Sequence, residues 1–142
     1  MSAATEALQL ALAAEHATIW GYGVVGALLP AREQRVAVGA DTAHRVRRDA
    51  LALALAARVP TPEPAAPSYD LPFPVIDAAG ARRLGLHLEV GLAAVWRAAL
   101  AAVTDLPDRK LALAALTDAA IRAVRWRTTV PGEPTTVPFP GG

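Results

Sequence analysis

Four long segments of this chain keep a helical spacing of apolar residues, and each carries one acidic residue near its middle: Glu15, Asp41, Glu89 and Asp118. A carboxylate placed among Ala and Leu in mid-helix needs a partner, because burying an unpaired charge is costly. Four such groups at a similar level, one per helix, outline a polar centre inside a four-helix bundle. Most other acids need no such account. Glu6, Glu33, Asp77, Asp105 and Asp108 stand where helices begin, where a carboxylate offsets the helix dipole and receives free N–H groups. Glu63, Asp70 and Glu133 lie in Pro-containing segments.

The breakers between these segments set the architecture. The pattern predicts helices over Thr5–Leu29, Arg32–Arg58, Asp77–Val103 and Leu106–Arg127, with Thr5, Asp77 and either Thr104 or Asp105 as N-caps and Pro107 in a first turn. Residues Val59–Val75 contain six prolines and cannot form regular helix. Residues 128–142 are a Pro/Gly/Thr-rich, extended C-terminal tail. Short turns join helices one to two and three to four, and a long Pro-rich crossover joins two to three. The expected fold is therefore all-α, one domain over residues 1–142, built as two antiparallel hairpins linked by one long crossover.

An internal repeat agrees with two related hairpins. Glu15 is followed seven residues later by Tyr22, and Glu89 by Trp96, in each case on the same helix face. Asp41, His44 and Arg48 align with Asp118, Ile121 and Arg125. A shorter echo lies outside the helices, where Leu71-Pro72-Phe73-Pro74 resembles Val137-Pro138-Phe139-Pro140.

Two chemistries fit a polar centre of this composition. In the first, Glu15, Asp41, His44, Glu89 and Asp118 are metal ligands. Di-iron and di-manganese bundles take a Glu from each of two helices and Glu-x-x-His from each of the others, since a spacing of three puts both ligands on one face. Here Asp replaces Glu in both spaced pairs, and Ile121 stands where the second His would be, so the iron or manganese centre is incomplete. In the second, the centre is metal-free and needs no cofactor. Arg48, one turn beyond His44, and Arg125, two turns beyond Asp118, place guanidinium groups among the carboxylates, a pairing to which Arg is suited.

Composition narrows the remaining classes. The chain of 142 residues is 54% apolar, with Ala prominent, so helices can approach closely. Helices one and two carry apolar residues on more than one side, Leu10, Val24, Val46 and Leu53 among them, which points to a homodimer. The net charge of +1, the scattered Arg residues and few aromatics give no nucleic-acid signal. Disulfides and Cys-ligated metals are excluded because there is no Cys. Met1–Leu12 does not read as a signal peptide, and no stretch of 18 or more apolar residues is free of charge, so the expectation is a cytoplasmic protein with no membrane span.

Other motifs are weaker. Gly21-Tyr22-Gly23-Val24-Val25-Gly26 matches G-x-G-x-x-G, but a helix precedes it where a dinucleotide site needs a strand. Small residues at a close helix–helix contact account for it better. His16 reads as a surface or interface residue and His87 as hydrogen-bonded filler. Trp126, among Arg122, Arg125 and Arg127, reads as an anchor for the tail or a stacking surface.

Taken together, Ala14-Glu15-His16-Ala17 with Gly21-Tyr22-Gly23, His44 through Asp49, Leu71 through Val75, Thr117 through Ala120 and Arg125-Trp126-Arg127 resemble a bacterial ferritin-like domain family of unknown function. The resemblance covers nearly the whole chain. It implies a ferritin-like four-helix bundle and no established activity. Against the wider ferritin-like superfamily, the Asp substitutions and Ile121 depart from the metal motifs that oxidase, peroxidase and iron-storage chemistries need. The expectation is a non-enzymatic binding or interaction protein with an ion-pair core, the alternative a metal-dependent redox protein with an incomplete centre.

Overall fold

Ser2, rather than Thr5, starts the first helix. Its hydroxyl accepts the Thr5 backbone N–H at 3.2 Å, so α1 spans Ala3–Leu28 and ends at Leu29 before Pro30. Pro30 needs no N–H of its own and leads directly into α2, Ala31–Ala56. Asp77 caps α3, Ala78–Ala102, by accepting the Gly80 N–H at 2.7 Å. Asp105 precedes α4, Leu106–Arg127, without a side-chain cap bond, and Pro107 sits in its first turn. The computed structural model describes residues 1–142, and it contains these four helices and no strand.

Helix α1 packs against α2 on one side and α3 on the other, and α3 packs against α4. The bonded pairs give the directions. Glu15 of α1 meets Trp96 of α3 while Tyr22 meets Glu89, so α1 and α3 are antiparallel. Arg47 of α2 meets Asp118 of α4, and Arg58, just past α2, meets Asp108 at the start of α4, so these two run antiparallel as well. Residues 57–77 are not helical. They pass along α1, where Gln9 bonds Thr61 and Glu63, His16 bonds the Glu63 carbonyl, and Trp20 packs on Tyr69. Phe73 then meets His87 of α3 edge-on. In the tail, Gly141 has φ +75° and lies against the Ala93 backbone, a position a Cβ would occupy at 2.5 Å from the Ala93 oxygen.

The apolar core is in two parts. One holds Leu8, Leu12, Leu51, Leu55, Leu92, Trp96, Val103 and Ala112, the other Tyr22, Val25, Leu29, Ala37, Leu84, Ala123 and Trp126. Between them lies the level that the four helices cross at Glu15, His44, Glu89 and Ala119, all buried. α3 is long and apolar enough to cross a membrane by length and composition. In this fold it holds Glu89 at its centre and lies against α1 and α4.

Candidate functional site

The polar centre is a single buried network: three helices supply its charged groups, and the fourth adds Trp126. His44 of α2 stands between two carboxylates, with Nδ1 2.8 Å from Glu15 Oε2 of α1 and Nε2 2.8 Å from Glu89 Oε1 of α3. The exposures of Glu15, His44 and Glu89 are 1%, 3% and 0%, so water does not solvate these charges. Two aromatic donors also bond the carboxylates. Trp96 Nε1–H donates to Glu15 Oε1 at 2.9 Å, and Tyr22 O–H donates to Glu89 Oε1 at 2.6 Å. Trp126 Nε1–H of α4 donates to the Tyr22 oxygen at 2.9 Å. The Tyr22 ring lies nearly parallel to the His44 imidazole at 5.5 Å between centroids. Glu89 Oε2 has no hydrogen-bond partner.

Electrostatics fix the protonation of the bridge. Burial pulls the His44 pKa down, but the hydrogen bonds and charges of Glu15 and Glu89 outweigh it and bring it up to about 9. His44 is thus an imidazolium at neutral pH, and only that form donates from both ring nitrogens. Tyr22 is held well above its ordinary pKa, first by burial and then by the Glu89 charge, so it stays a neutral donor.

Of the residues the sequence assigned to this centre, Glu15, His44 and Glu89 converge. Asp41, Arg48, Asp118 and Arg125 do not, and each has a local reason. Asp41 faces outward and accepts from Arg45 at 2.8 Å, one turn on. Arg48 bonds its neighbour Asp49. Asp118 is half exposed and accepts from Arg47 at 2.6 Å, while its neighbour Ala119 takes the buried position on α4. Arg125 is exposed at the α2/α4 seam. Ile121 is 47% exposed, so no second histidine position exists at the centre. The cation is His44, in place of an arginine.

Sequence reasoning noted Tyr22 and Trp96 on the correct faces but did not assign them to the centre. The signal was the repeated seven-residue spacing, which lets each aromatic reach the other helix's glutamate. Trp126, expected as a tail anchor or a stacking surface, is 4% exposed and bonded to Tyr22. Asp108 and Glu33, set aside as helix-start acids, are interhelical clamps. Arg58 donates two bonds to the buried Asp108, whose carboxyl is held below its usual range by that pairing. Arg82 likewise donates two bonds to Glu33, at 2.8 Å each.

A carboxylate-bridged metal pair does not fit these side chains. Two of the five expected ligands face outward, and both nitrogens of the one remaining imidazole are taken at 2.8 Å by carboxylate oxygens. No group of three or more His, Cys, Asp or Glu is arranged to hold a metal ion. A cleft of about 660 Å³ is elsewhere. It lies between α1, α2 and the segment around Ala65–Tyr69 and touches none of the buried network.

The family described as "Domain of unknown function (DUF4439)" matches residues 7–142. Among solved structures, the chain is similar to that of a conserved hypothetical protein, rv2844, from Mycobacterium tuberculosis. The two are 42% identical with a TM-score of 0.86, over 90% of this chain and 97% of that one. No curated protein matches the chain.

Proposed function

The chain belongs to the DUF4439 family of unknown function, and from that premise we propose that it is a non-enzymatic binding or interaction protein on a ferritin-like frame. In this reading the His44 imidazolium occupies the place that metal ions take in related bundles. The observation that carries it is the pair of hydrogen bonds made by one imidazole, Nδ1 to Glu15 and Nε2 to Glu89, at equal distances of 2.8 Å. A bridging cation cancels much of the repulsion between two buried carboxylates, as a metal would, but it brings no open coordination position and no redox chemistry. Burial of all three groups supports a structural role, because a substrate would have no path to them. The connection of α2 to α3 by the long segment 57–77 supports the ferritin-like topology over a simple up-down bundle.

The experiment is elemental analysis of protein purified without chelator. The proposal expects no stoichiometric iron or manganese. About one or two transition metals per chain, lost in Glu15→Ala or His44→Ala, would replace it with the redox reading.

The same reading includes a homodimer. Val38, Val46 and Leu53 line one side of α2 at 62%, 66% and 77% exposure, and Leu10 of α1 is 67% exposed. Such a stripe is self-complementary across a two-fold axis. Val24 is not part of it, since it lies half-buried in the cleft near Tyr69.

A further inference from the structure

The seam between α2 and α4 is the open side of the bundle. The backbones of these helices are not in the close contact that joins α1 to α2, α1 to α3 and α3 to α4. Towards the end of the seam away from Asp108 lies a cleft of about 490 Å³, walled by Arg35, Val36, Gly39 and Ala40 of α2 and by Arg122, Arg125 and Trp126 of α4. Three arginines therefore surround one small space, two on α4 and one facing them from α2.

These arginines are without carboxylate partners, as are Arg32, Arg83 and Arg127, but they share one cleft. Arg45, Arg47, Arg48, Arg58 and Arg82 each pair with a carboxylate at 2.8 Å or less. Arg35, Arg122 and Arg125 pair with none, and no acidic residue lines the cleft. An adjoining groove is lined by one acid, Glu33, and both its oxygens are taken by Arg82. Like charges facing across a narrow gap repel one another, and a fold that relied on the seam for stability alone would gain from a carboxylate there. Three guanidinium groups converging on one cleft that no acid lines leave room there for an anion from outside.

We infer that Arg35, Arg122 and Arg125 form a binding site for the phosphate groups of a small, multiply charged molecule. Three guanidinium groups supply three positive charges and paired N–H donors, which match a diphosphate better than a single carboxylate. The cleft volume suits a small molecule rather than a polymer. Gly39 and Ala40 keep its α2 wall low, and nothing lies within 4 Å of the place a Gly39 Cβ would take. The floor is Trp126, whose indole N–H already bonds Tyr22, so the site rests directly on the buried network. The inference deepens the reading of a binding protein and rests on it for its ligand class.

Inorganic pyrophosphate is the probe, titrated calorimetrically into the full chain at near-physiological ionic strength, with orthophosphate and sulfate as parallel arms. The expected result is saturable binding of pyrophosphate at a single site, tighter than either smaller anion. Arg122→Ala and Arg125→Ala should each weaken it by about tenfold or more, as loss of a charge-assisted contact does. Arg35→Gln repeats the test from the other helix should either α4 variant fail to fold. Arg83→Ala, which removes an exposed charge outside the cleft, should leave binding unchanged. Absence of binding, or equal weakening in Arg83→Ala, overturns the inference. Metal content measured on the same sample reads the core independently, so failure of the anion site is distinguishable from failure of the metal-free reading.

Discussion

Tyr22 and Glu89 are joined across the bundle by a 2.6 Å hydrogen bond, and Trp96 and Glu15 by one of 2.9 Å, so each central helix closes the carboxylate of the other. The two bonds are related by the repeat that pairs α1 with α3. His44 enters from α2 between the two carboxylates, and α4 contributes only Ala119 at this level and Trp126 beside it. The centre is thus a two-fold arrangement completed on one side by a cation and on the other by a small apolar residue.

Stability should fall as the pH rises. His44 has a pKa of about 9 in the folded chain against 6.5 as its ordinary value. A base whose folded pKa is raised contributes fully below pH 6.5 and loses that contribution as the pH climbs through about 9. The whole shift corresponds to about 3 kcal/mol. Urea melts across this window should show the loss in the native protein and none of comparable size in a folded His44→Gln variant. A flat profile in the native protein would contradict the charged bridge.

Removing one carboxylate should be severe. Glu15→Ala leaves His44 with a single partner and takes the acceptor from the Trp96 indole. Breaking a buried ion pair from one side typically costs about 3–5 kcal/mol. A loss below about 1 kcal/mol in denaturant melts would place Glu15 in a solvated setting and defeat the buried-network account.

Gly85→Ala should destabilise although it improves helix propensity. A Cβ there would stand 2.6 Å from a ring atom of Trp126, and that ring is pinned by its bond to Tyr22. Overpacking of this kind costs about 1–3 kcal/mol, against a propensity gain of about 1 kcal/mol. Gly91→Ala on the same helix, with nothing within 4 Å of its Cβ position, should instead raise the melting temperature. Equal increases in both variants would show that Trp126 is free to move.

Light scattering at tens of micromolar should give the mass of a homodimer, and Val46→Glu with Leu53→Glu should give a monomer of unchanged helicity. A monomeric native protein would remove the proposed α2 interface and leave its apolar stripe solvated.

The helices were legible because their determinants are local. Caps, prolines and apolar spacing placed all four, and Ser2 displaced Thr5 as the first cap because its hydroxyl was equally suited and stood three residues earlier. The centre was legible only where a residue type had a strong burial argument of its own. Glu15 and His44 shared faces with large apolar residues. Glu89 did not show so clearly, because the stripe through Leu84, Leu88 and Val95 competes with the one through Leu92 and Trp96, and the structure buries Leu84 as well as the latter two. Asp118 differs from Ala119 by a rotation of about 100°, which periodicity alone does not resolve in an Ala-rich helix. The assignment of arginine to the core failed because Arg48 meets its neighbour Asp49 and Arg125 lies exposed at the α2/α4 seam, where a guanidinium keeps its hydration.

The account rests on a doubly donating imidazolium at the centre, and nitrogen-15 NMR of the His44 ring reads it directly. At pH 7 the account predicts that Nδ1 and Nε2 both carry a proton, each with a hydrogen-bonded N–H signal, and that one of them is lost only near pH 9. A neutral ring with a single protonated nitrogen at pH 7, or a ring nitrogen bound to a metal ion, would contradict it.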